Sequence, residues 1–69
     1  MELKEAIEVI RETRGEVILS DGGNDWDIDN LLDAIAGEED SNNYSVCEDG
    51  IYRVNEDGYL ESIPDYRIK

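Results

Sequence analysis

Residues 44–63 read YSVCEDGIYRVNEDGYLESI, and this stretch decides the fold. The triplet Glu48-Asp49-Gly50 recurs as Glu56-Asp57-Gly58, and each copy separates short runs of β-branched and aromatic residues. A Glu-Asp-Gly sequence suits a three-residue hairpin loop, a type I turn closed by a left-handed glycine at a bulge. With both turns in that form, Val46 faces Tyr52, Tyr44 faces Val54, Val54 faces Leu60 and Arg53 faces Glu61. One side of the ribbon then carries Tyr44, Val46, Tyr52, Val54 and Leu60, and the other carries Ser45, Arg53 and Glu61. This alternation is what a sheet with one buried face requires. The stretch is therefore predicted to be an antiparallel β-meander with strands at 44–47, 51–55 and 59–63. Pro64 ends the last strand, and residues 65–69 follow as a tail anchored by Tyr66 and Ile68.

Working outward, residues 2–14 have the spacing of an amphipathic helix. Leu3, Ala6, Ile7 and Ile10 share one face, and Glu5, Glu8 and Glu12 share the opposite one. Glu2 and Glu5 suit the positive end of the helix dipole, and Arg11 and Arg14 the negative end. Gly15 stops the helix. Residues 16–20 (EVILS) read as a strand, and residues 21–24 (DGGN) as a loop. A second helix is predicted over 28–36, with Ile28, Leu31, Leu32 and Ile35 as its stripe and Asp27 as its N-cap. Trp26 and Leu31 then have the spacing of a hydrophobic staple. Residues 38–43 are a polar connector. The expected architecture is one α+β domain over residues 1–69, with two helices packed on one face of a three- to four-stranded antiparallel sheet.

Charge dominates the composition. The chain has 19 acidic residues against 6 basic ones and no histidine, a formal net charge of −13 in 69 residues. A domain of this size is roughly 28 Å across, and 13 charges equal those of about 22 Å of duplex DNA. Such a molecule meets basic surfaces. It does not bind nucleic acid or an anionic membrane, because six scattered bases make no basic patch. The charge also opposes folding through self-repulsion, so either solubility or function retains it.

Chemistry on the chain itself is poorly supported. Without histidine there is no ready general base or triad, and Gly22-Gly23 lacks the spacing and lysine of a phosphate loop. A glycosidase-type carboxylate pair needs a cleft that this length hardly provides. Cys47 is alone, which excludes an internal disulfide and points to a reducing, cytoplasmic setting. Its strand position predicts a buried structural thiol. No apolar run approaches a membrane span. Asp25, Asp27 and Asp29 copy the start of a calcium loop, but Asn30 replaces the required glycine and Ala36 the bidentate glutamate. No cofactor or metal is expected, and a monomer is favoured.

Acidic surface is what remains. The candidate partner-binding residues are Glu5, Glu8 and Glu12 on the first helix, Asp25, Trp26, Asp27, Asp29 and Asp33 before and along the second, and Glu38, Glu39 and Asp40 beyond it. Tyr59 and Tyr66 are further aromatic candidates. In size, acidity, lone cysteine and lack of a catalytic set, the chain resembles the small acidic inhibitors of phages and mobile elements, the anti-CRISPR and DNA-mimic proteins. The acidic runs DGGNDWDIDNLLD and GEEDS express that character. The resemblance implies a non-enzymatic protein, acting in the host cytoplasm, that binds a CRISPR effector or similar nucleic-acid enzyme and blocks its access to DNA. Three other readings stay open: an immunity protein or antitoxin capping a basic nuclease, a calcium-binding module using Asp25, Asp27 and Asp29, and a domain whose charge serves solubility alone.

Overall fold

A computed structural model describes residues 1–38, 40 and 42–69. The fold is α+β, with two helices and one five-stranded, wholly antiparallel sheet. In chain order the elements are α1 (Leu3–Arg14), β1 (Ile18–Ser20), β2 (Asp25–Asp27), α2 (Ile28–Ala34), β3 (Asn43–Cys47), β4 (Gly50–Val54) and β5 (Tyr66–Ile68). The strand order is β2-β1-β5-β4-β3.

The helices follow the sequence closely. Leu3, Ala6, Ile7 and Ile10 of α1 are buried, as are Ile28 and Leu31 of α2, with Leu32 and Ile35 packed partly against them. Leu19, Tyr44 and Ile51 complete this single core from the sheet. Directly opposed residues in a sheet share a face. The pairs Leu19↔Trp26, Leu19↔Ile68, Ile51↔Tyr66, Val46↔Ile51 and Tyr44↔Arg53 therefore define the side turned to the helices. The far side carries Ser45, Cys47, Tyr52, Val54, Ser20 and Arg67.

Three expectations about the sheet need correction. First, the β3–β4 connection is two residues long, because Cys47 pairs with Gly50. The register moves by one, so Val46 faces Ile51 and Tyr44 faces Arg53. Tyr52 and Val54 lie on the face away from the helices, and Arg53 lies on the helix side. The cause is Gly50, which serves as a strand residue here. A Cβ on it would lie 2.1 Å from the Tyr66 carbonyl oxygen, so only glycine lets β5 approach. Cys47, on the far face, is half-buried and so is not the buried thiol expected.

Second, residues 25–27, expected only to lead into the helix with Trp26 and Asp27 at its N′ and N-cap positions, form a strand hairpinned to β1. Asp21 builds the turn. Its Oδ1 accepts from the amides of Gly23 and Asn24, and its Oδ2 from Trp26 Nε1 at 3.1 Å. Asp27 occupies the N-cap position of α2, yet its side chain makes no capping hydrogen bond.

Third, residues 59–63 are not a strand, and the presumed tail supplies β5, the middle strand of the sheet. The second Glu-Asp-Gly triplet does form the expected turn. Asn55 Oδ1 accepts from the amides of Asp57 and Tyr59, and Gly58 adopts φ 85°. Leu60 then bridges Val54, and the Glu61 amide donates to the Arg53 carbonyl, in the expected register. From there the register jumps. Continued unbroken, Ile63 would oppose Ile51, but Tyr66 takes that place. Residues 62–65 bulge out, and pairing resumes three residues later. Pro64 has no amide to donate to a ladder, which favours a bulge at this point.

Candidate functional site

The acidic residues divide by what surrounds them. On α1, Glu5, Glu8 and Glu12 are exposed and lie opposite the buried stripe. Axial rise places Glu5 and Glu12 about 10 Å apart along the helix. None of the three makes an ion pair among the described residues. The sequence-predicted stripe is therefore an exposed row of carboxylates without an ion pair among the described residues.

The second cluster is different. Asp29 forms an ion pair with Arg11 at 3.0 Å, joining α2 to α1, and Asp25 pairs with Lys69. Asp27 and Asp33 are exposed without such partners among the described residues. Trp26 is half-buried against the core, and its Nε1 donates to Asp21. The tandem aspartates do not form a calcium loop either. Asp25 and Asp27 belong to a strand, Asp29 to the first turn of a helix, and two of the three are held by cations. Among the described residues no group of three potential ligands could hold a metal.

Glu38 is exposed, and Asp40 is half-buried and accepts from the Asn42 amide at 2.9 Å. Glu39 lies outside the described residues. Glu2, Lys4, Glu38 and Asp40 rim a cleft of about 490 Å³ floored by Leu3, Ile35, Tyr44 and Tyr66. The length of the chain did not suggest a cleft of this size. It arises because the turn that follows α2 (residues 35–38) and the start of α1 converge over Tyr44 and Tyr66.

Beside this cleft, the Arg53 guanidinium lies 5.9 Å from the centre of the Tyr44 ring, and its Nε lies 3.1 Å from Asp65 Oδ2. These two atoms are buried and out of line for a hydrogen bond, so the contact is electrostatic. Burial pushes the Asp65 carboxyl above the ordinary aspartate value, against the opposing pull of Arg53. Asp21 moves the other way: the Asn24 amide, Trp26 Nε1 and the Gly23 amide hold it below that value. The sequence missed the Arg53–Asp65 pair because the expected register put Arg53 on the outer face and Asp65 in a tail.

No protein-family model matches the chain, and no curated protein or solved structure is similar to it. The site is therefore read on its own chemistry. The acids stand on nearly every surface. Of the six basic residues, Arg11, Arg53 and Lys69 are engaged by Asp29, Asp65 and Asp25. Three acids are thus offset, and most of the others, Glu5, Glu8 and Glu12 of α1 among them, make no ion pair among the described residues. Among the described residues, no helix is long and apolar enough to cross a membrane.

Proposed function

We propose that the protein is a non-enzymatic inhibitor that presents an acidic, DNA-like surface to a basic nucleic-acid-binding protein and blocks its access to DNA. The observation that carries this reading is the exposed, unpaired carboxylate ridge of α1. The molecule measures 31 Å along its longest axis and carries 13 net negative charges. The same length of duplex carries about 18. Long-range attraction would steer such a surface into a basic channel, where it occupies positions that otherwise neutralise phosphates. A CRISPR effector or a similar defence nuclease is the class of partner with that channel.

The test is competition on purified effector nucleases with a labelled DNA duplex, from 50 to 500 mM salt. The protein should displace DNA, and its own affinity should fall steeply with salt. Reversing Glu5, Glu8 and Glu12 together to lysine should weaken binding at least tenfold while the circular dichroism spectrum stays unchanged. Reversing Asp29 should do less, because Arg11 already offsets it. Affinity that ignores both salt and the triple reversal would remove the electrostatic reading.

A further inference from the structure

Tyr59, Leu60 and Ile63 are exposed at 72%, 46% and 76%, three of the five large exposed hydrophobic residues among those described, all within one five-residue stretch. Their exposure follows from the register jump. A hairpin continued without interruption would place Ile63 against Ile51, the most deeply buried position of β4. The bulge instead turns Ile63 to solvent and gives its place to Tyr66. Bulges commonly re-aim a side chain in this way. This one is tied by the Arg53–Asp65 contact at 3.1 Å. Glu56, Asp57 and Glu61 flank the exposed residues, and Arg53, whose carbonyl accepts from the Glu61 amide, is engaged by Asp65.

An apolar stretch set in acidic surface fits a partner that is basic around an apolar cleft. We propose that Tyr59, Leu60 and Ile63 form the apolar anchor of an interface with such a basic protein surface. This rests on the acidic-surface reading above and adds to it a specific contact, on the segment leading from β4 to β5. Charge supplies attraction that any basic surface would feel. The anchor discriminates among basic surfaces, since buried aromatic and aliphatic groups dominate interface energies while rim charges chiefly set the rate of encounter.

Two synthetic peptides of equal positive charge test this, one of lysine alone and one alternating lysine with leucine. Each is titrated into isotopically labelled protein at 150 mM salt and followed by amide shifts. The lysine–leucine peptide should bind at least tenfold more tightly and shift the amides of residues 54–63. A variant with Tyr59→Ser, Leu60→Ser and Ile63→Ser should lose that tenfold difference and keep its affinity for oligolysine. The double variant Tyr59→Ser with Ile63→Ser, which leaves the Val54–Leu60 contact intact, should lose most of it and guards against loss of the fold. Equal binding of both peptides, or a preference that survives both variants, overturns the anchor and leaves the acidic reading standing. Failure of both peptides to bind overturns both. Self-association in sedimentation that the double variant abolishes would make a second copy the occupant, and the basic partner would be rejected.

Discussion

Gly50 and Gly58 occupy equivalent places in a repeated triplet and do unrelated work. Gly58 closes a turn in the left-handed region, whereas Gly50 is buried in a strand where the Tyr66 carbonyl passes. The residue before each triplet separates them. Asn55 offers a side-chain oxygen that organises the second turn, and Cys47 has none to offer. Gly50→Ala should cost about 3 kcal/mol, since φ 149° and a 2.1 Å contact against backbone both oppose a Cβ. Urea unfolding measures this, and Gly23→Ala, in open space, is the control that should stay near zero. The two perturbed aspartates make opposite contributions to pH dependence. Asp21 titrates below the ordinary aspartate value of 3.8 in the folded state, so it stabilises above that value and the benefit is lost as pH falls through its folded pKa. Asp65 titrates above 3.8, so the folded state binds the extra proton and this group's contribution weakens as pH rises through that window. Carboxyl carbon shifts followed from pH 2 to 7 should give Asp21 a midpoint below 3.8 and Asp65 one above it.

At the level of elements, both helices and the pairing of β3 with β4 were legible, because hydrophobic spacing records them directly. Leu3, Ala6, Ile7 and Ile10 are buried as their period requires. The identity of the central strand was not legible. Residues 59–63 look more strand-like than Tyr66-Arg67-Ile68, and only the sheet's tertiary pairing favours the latter. Leu19 needs Ile68 opposite it and Ile51 needs Tyr66, and neither demand is written locally. The site was legible to a similar degree. The α1 ridge follows from period alone, while the pairing of Asp25 and Asp29 with Lys69 and Arg11 depends on contacts across 44 residues in one case and between two helices in the other. Deletion of residues 62–64 should bring Glu61 and Asp65 into one continuous register, with Arg53 still opposite Glu61 and Tyr66 still opposite Ile51. Such a variant should fold cooperatively, with slow hydrogen exchange at Tyr66 and Ile68. Loss of that protection would show that the bulge is required for closure of the sheet rather than inserted into it.

For the whole molecule, the balance is between a small core and a large unscreened charge. A domain of this length has a stability of roughly 3–10 kcal/mol, and self-repulsion draws on it at low salt. Raising sodium chloride from 20 to 500 mM should therefore lift the melting temperature by roughly 4–8 °C, the equivalent of about 1 kcal/mol at this size. Scanning calorimetry at both concentrations measures it, and a flat response would mean that the carboxylates are spaced widely enough to ignore one another.

The position of β5 also has a consequence for biosynthesis. Both hairpins precede it, yet neither can join the other until residue 68 has cleared the ribosome, because β5 alone connects β1 to β4. The nascent chain therefore waits with the β5-facing edges of Leu19 and Ile51 open, at a contact order that slows closure. During that wait its thirteen net charges act as a built-in guard against aggregation.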